Sequence, residues 1–140
     1  MRRLVDEAGL AESIELDSAG TGAWHVGGPP DARANAAART RGTTLEGSAR
    51  QVTREDFEDF DLIVAMDSAN MRELRALAAD EAQREKVRML REFDPWSAAH
   101  GDLDVPDPYY GGEGGFDQVY DLVHAACEGL LERIQAGELP

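Results

Sequence analysis

Two carboxylates, two prolines and two phenols crowd together in Asp104-Val105-Pro106-Asp107-Pro108-Tyr109-Tyr110-Gly111-Gly112, the most chemically suggestive stretch of the chain. Asp107 precedes a proline, which restricts its backbone, and its carboxyl group could protonate a leaving oxygen. Tyr109 and Tyr110 offer flat, amphipathic walls for an aromatic group. On residue types alone, an ordinary acidic loop whose tyrosines pack locally is the commoner arrangement. The single cysteine, Cys127, stands six residues before Arg133, a thiol and a guanidinium that could attack and grip one anion if they met. Geometry argues against that use. On a helix six residues rise about 9 Å and turn about 600°, leaving Cys127 and Arg133 pointing roughly 120° apart. Glu128 and Glu132 would also repel a phosphate, and a free cysteine in an apolar stripe packs as a small hydrophobe.

The other candidates are weaker. Gly20-Thr21-Gly22 and Gly27-Gly28 flex a loop, but neither leads directly into a helix with a lysine, so no Walker pattern exists. Gly111 to Gly115 opens a helix, yet Glu113 and Asp117 already bring negative charge to that end. His25, His100 and His124 are scattered and suit local packing or solvent exposure; none is expected to be a catalytic base. Ser18 closes an alternating segment as a plain hydroxyl. One cysteine and scattered histidines leave no ligand set for a structural zinc, and no metal or cofactor is implied.

These residues need a scaffold, and the sequence describes an α/β one. Ile14 to Ser18 and Lys86 to Met89 alternate apolar and polar as half-buried edge strands do, whereas Leu62-Ile63-Val64-Ala65-Met66 is continuously apolar, as in a central parallel strand covered on both faces. Helices are predicted from Met1 to Ala8 before Gly9, from Asp31 to Thr40 before Gly42, and from Thr53. Another is predicted from Ser68 to Ala78, capped by Asp67 or Ser68, with Met71, Leu74 and Leu77 on one face. Phe116, Val119, Tyr120, Val123, Ala126, Cys127, Leu130, Leu131 and Ile134 recur at three and four, which predicts a long final helix. Two edges around one interior strand is a sparse sheet, as if a central strand were missing.

The 140 residues suit one domain, 1–140, and a hydrophobic fraction of 42% with 30% charged residues describes a soluble globular chain. A net charge of -14 disfavours nucleic acid and anionic membrane as partners. No apolar secretion signal opens the sequence, and a cytoplasmic location is expected.

Asp-Pro-Tyr-Tyr-Gly followed by Phe116-Asp117-Gln118-Val119-Tyr120 resembles the general-acid loop and last helix of the low-molecular-weight protein tyrosine phosphatases. Asp17 to Trp24, Pro29-Pro30-Asp31, Ala49-Arg50-Gln51, and Asp59-Phe60-Asp61 leading to Met66-Asp67 agree in order and spacing, so the resemblance runs from Met1 to about Ile134. It implies a three-layer α/β fold, an open parallel sheet in strand order 2-1-3-4 flanked by helices, with strand 1 missing here. It also implies hydrolysis of phosphotyrosine or another aryl phosphate through a cysteinyl-phosphate, with Asp107 as general acid. Trp24, Tyr109 and Tyr110 would line the substrate cleft, and Ser18 would support the phosphate loop from beneath. Gly47 stands where members of the family often carry a histidine that braces that loop.

The resemblance places the nucleophilic Cys-x5-Arg loop before Met1, so the 140-residue chain alone is expected to be inactive, poorly folded or aggregation-prone. A phosphatase whose start is assigned at an internal methionine is favoured over a truncated relict or a non-catalytic binding module, because Met1 falls inside a predicted helix. Arsenate reduction on the same fold needs a relay of further cysteines and fits Cys127 alone poorly.

Overall fold

The computed structural model describes residues 1–22, 27–28, 32–43, 45, 50–106 and 115–139. Helices flank a two-stranded parallel sheet. In chain order the elements are α1 (Arg2–Glu7), α2 (Ala32–Arg39), α3 (Asp56–Asp59), β1 (Ile63–Ala65), α4 (Ser68–Leu77) and α5 (Glu81–Glu85). Then come β2 (Val87–Met89), a 3-10 turn (Leu90–Phe93), α6 (Pro95–His100) and α7 (Gly115–Gln135). Strands β1 and β2 run in register with Ile63 opposite Val87 and Ala65 opposite Met89.

The sheet separates two apolar clusters. On one side Phe57, Ala65, Leu74, Ala78, Val87 and Met89 pack together, with Met71 and Leu77 joining from the α4 face read in the sequence. On the other side Leu90, Phe93, Ala126, Cys127 and Leu130 pack with Val64 and Val123, and Met1 and Leu4 join them from the N-terminal end of the chain. β1 therefore touches cores on both faces, as its continuous apolar run requires. Among the described residues it is paired along one edge only.

Ile14 to Ser18 is not a strand, contrary to expectation. Its alternation survives, with Ile14 and Leu16 half-buried and Glu15 and Asp17 exposed, but no described strand lies beside it to make a ladder. The nearest equivalent is an isolated parallel bridge between Gly20 and Gln51, in which the Gly20 N–H donates to the Arg50 carbonyl at 2.9 Å and the Val52 N–H to the Gly20 carbonyl at 2.8 Å. The helix expected from Thr53 begins only at Asp56, because the Asp56 carboxylate accepts from the Thr53 N–H at 2.8 Å and closes a turn ahead of it.

Three short elements lie outside the sequence reading: α5, the 3-10 turn and α6. Two of them carry recognisable starts. Asp80 accepts from the Gln83 N–H, and Asp94 accepts from the Trp96 N–H with Pro95 in the first helical position. Helix α6 ends at Gly101, whose φ of 67° suits a residue without a side chain and turns the chain toward Asp102.

α7 approaches the 3-10 turn so closely that Gly129 lies against the Phe93 carbonyl group. At its other end Tyr120 Oη meets Thr43 Oγ1 at 2.8 Å, and Arg41 of the segment after α2 pairs with Asp117 and Asp121. Among the described residues no helix is long and apolar enough to cross a membrane.

Candidate active site

Ligands of open parallel sheets bind beyond the carboxyl ends of the strands, and the segment leading to Asp107 runs across that end here. β1 finishes at Ala65, and the next carbonyl, of Met66, accepts from the Val105 N–H at 2.7 Å. Asp67 caps α4 by accepting from the Asn70 N–H at 2.8 Å. The Asp104 carboxylate takes a second free donor of the same turn, the Ser68 N–H at 2.9 Å, together with the Ser68 hydroxyl at 2.8 Å. Arg91 reaches up from the 3-10 turn, buried, and its guanidinium donates to the Asp104 carbonyl, to both Asp102 carboxylate oxygens at 3.3 and 3.5 Å, and to Ser97 Oγ at 3.2 Å. A cleft of about 430 Å³ opens between α4 and this segment, edged by Ser68, Met71, Arg72, Met89 and Asp104.

A second network holds the segment around Ser18. Arg50 grips Asp56 with both terminal nitrogens, each at 3.0 Å, and its Nε donates to Asp17 at 3.2 Å. The Asp17 carboxylate also accepts from the Ser18 N–H at 2.8 Å. Fork-to-fork pairing with Arg50 holds the Asp56 carboxyl below the usual carboxylate range, and the Thr53 N–H adds to it. The Arg50 guanidinium is correspondingly pushed up by Asp56 and Asp17. Ser18 itself is exposed, on a segment tied by Arg50 to α3.

Of the expected site residues, Asp107, Trp24, Tyr109 and Tyr110 lie outside the described residues, as do Gly47 and His25. Ser18 is described, and so is the approach to Asp107 as far as Pro106. Cys127 is 6% exposed within the apolar cluster, and burial pushes its thiol up, so it is a packing residue. Arg133, on the same helix, stacks 5.1 Å from the Phe93 ring and reaches Glu138 at 3.3 Å, an arrangement that shares no ligand with Cys127. His100 stacks on Trp96 at 4.2 Å, and His124 pairs with Glu128 at 2.7 Å. Both make local contacts, as the sequence suggested.

Arg91 and the bidentate role of Arg50 were not read from the sequence. For Arg91 the signal was a charge at the edge of the apolar run Met89-Leu90, in a place where a core side chain would be expected.

The chain's likeness to known proteins agrees with this arrangement. The sequence model described as "Low molecular weight phosphotyrosine protein phosphatase" matches residues 1–138. A low molecular weight protein-tyrosine-phosphatase of Streptomyces coelicolor is 47% identical over 134 residues, 96% of this chain and 81% of that protein. The human low molecular weight phosphotyrosine protein phosphatase is 34% identical over 133 residues, 94% of this chain and 82% of its own length. Among solved structures, a protein tyrosine phosphatase of Entamoeba histolytica superposes with a TM-score of 0.90 at 35% identity, covering 99% of this chain and 86% of that one. YfkJ of Bacillus subtilis gives 0.86 at 39% identity, covering 97% and 82%. With nearly every residue matched in sequence and the same arrangement recurring in solved relatives, the chain belongs to the low-molecular-weight protein tyrosine phosphatase family.

Proposed function

We propose that this protein is a phosphatase of aryl phosphomonoesters, phosphotyrosine among them, and that residues 1–140 form a single, truncated phosphatase-like domain. The observation that carries the reading is the anchored approach to Asp107: Asp104 and Val105 are bonded to the turn between β1 and α4, three and two residues before the proposed acid. In this reaction a thiolate at a helix N-terminus attacks phosphorus, and an arginine and backbone N–H groups hold the equatorial oxygens. Asp107 donates its proton to the departing phenolate. As carboxylate it then takes a proton from the water that cleaves the cysteinyl-phosphate. Trp24, Tyr109 and Tyr110 flank the aromatic leaving group, and Ser18, held through Asp17 and Arg50, supports the phosphate loop.

The thiolate is not Cys127, which is buried and whose thiol is pushed up by that burial. The 140 residues therefore contain no competent nucleophile, and by themselves they do not turn over substrate. The cytoplasm suits the activity, and the charge of -14 favours protein or small-molecule substrates over nucleic acid and anionic membrane.

Intact mass of the protein from its source, set against 15.2 kDa for these residues, tests the reading together with turnover of 4-nitrophenyl phosphate. A mass heavier by roughly two dozen residues, enough for a strand, a loop and a helical turn, with turnover, is the expected result. A mass of 15.2 kDa without turnover overturns it in favour of a relict or binding role.

A further inference from the structure

We propose that Arg91 is the positioning residue of the general-acid loop, a buried cation that fixes residues 102–105 at the carboxyl end of β1 and thereby sets where the chain enters Asp107. The inference rests on the reading of Asp107 as the acid.

Arg91 lies between Leu90 and Phe93, both core residues, where an apolar side chain would pack without desolvating a charge. A guanidinium in such a place is tolerated when acceptors surround it, and the source of those acceptors identifies what it holds. Of its four hydrogen bonds, three go to Asp102 and Asp104, and the fourth goes to Ser97 Oγ. Ser97 is in turn fixed by its hydroxyl donating to the Asp94 carboxylate at 2.7 Å. The cation thus joins the strand-following turn and α6 to the segment that edges the cleft. The same segment is pinned from the opposite side by Ser68 on Asp104 and by Met66 on Val105. A loop held on two sides has its backbone set before substrate arrives, and a proton donor must stand within hydrogen-bond reach of the leaving oxygen. The guanidinium suits this task better than an ammonium, because its planar fork reaches a carbonyl and a carboxylate at once.

Backbone amide exchange in the protein as its source makes it, compared with Arg91→Met and Arg91→Lys, tests the assignment. In Arg91→Met the Val105 amide is expected to exchange at least about tenfold faster while amides near Leu130 in α7 are unchanged, since local opening and global opening are separable. Arg91→Lys, which keeps a donor, is expected to recover part of the protection. Unchanged protection at Val105 overturns the proposal. So does acceleration spread equally over α4 and α7, the mark of a merely structural residue. Turnover judges the acid separately. If Asp107→Asn leaves hydrolysis of phenyl phosphate intact, the acid is wrongly assigned whatever Val105 does; if that hydrolysis falls and Val105 is unmoved, Arg91 alone is wrongly assigned.

Discussion

Replacing Gly129 by alanine sets two well-understood effects against each other. Gly129 lies inside α7, where helix propensity alone favours alanine by about 1 kcal/mol. An ideally placed methyl group, however, would stand 1.9 Å from the Phe93 carbonyl oxygen and 2.9 Å from its carbon. Since carbon and oxygen approach to about 3.3 Å at closest, α7 and the 3-10 turn would have to separate by more than an ångström. The obstacle is backbone, so no rotamer change relieves it. The separation would loosen the cluster of Leu90, Phe93, Ala126, Cys127 and Leu130. Overpacking costs about 1–3 kcal/mol where side chains can give, and a rigid obstacle puts this case at the upper end. Against the helix gain, a net loss of about 2 kcal/mol is expected. With an unfolding entropy of about 2.1 cal/mol/K per residue, that lowers the melting temperature of a chain of this size by roughly 7 °C. Urea and thermal unfolding of the protein and the variant measure it directly. A midpoint equal to or above that of the parent would show that the close approach of α7 to Phe93 does not constrain the fold.

Three further outcomes are expected. Asp56 has its carboxyl lowered by Arg50, so its contribution to stability is complete above the unfolded value near pH 4 and drains away as pH falls through the folded value. Acid titration of unfolding should therefore show the parent exceeding Asp56→Asn at pH 6 and the two converging in strong acid; parallel curves would refute the pairing. Cys127, buried and with its thiol pushed up by that burial, should resist iodoacetamide at pH 8 in the native protein and react once urea unfolds it, as read by peptide mass. Rapid native labelling would contradict its place in the core. Asp107→Asn should lower kcat for phenyl phosphate by about 10²–10⁴-fold, with a smaller loss for 4-nitrophenyl phosphate, whose leaving group needs less help; equal losses would argue against an acid role.

Long patterns were legible in the sequence, and short ones were not. The apolar stripe from Phe116 to Ile134 fixed α7 to within a residue at each end, and Met71, Leu74 and Leu77 identified the buried face of α4. α5 and α6 span five and six residues, too few for a period to show, although the caps Asp80 and Asp94 were there to be read. The segment Ile14 to Ser18 shows the opposite limit. Alternation reports which side chains face inward, but a strand also needs a neighbour to bond with, which is a property of the fold. The resemblance could propose site residues because Asp107, Tyr109 and Tyr110 lie in a contiguous motif, which falls outside the described residues. Arg91, and the bidentate role of Arg50, escaped notice because their partners lie across space: Asp102 and Asp104 for one, Asp17 and Asp56 for the other.

The division of the apolar interior by the sheet also has a bearing on synthesis. Every residue of the cluster on the α4 side, from Phe57 to Met89, has left the ribosome's catalytic centre well before the chain is finished. The opposite cluster joins Met1 and Leu4 to Ala126, Cys127 and Leu130, and it has no second half until α7 has been made. At roughly 5–20 residues per second, the interval between translating Met89 and Leu130 is about 2–8 s. The cluster that holds Val64, Leu90 and Phe93 is therefore the last part of the interior to be completed. Closing that face falls to α7, the last helix of the chain, once the finished chain is released.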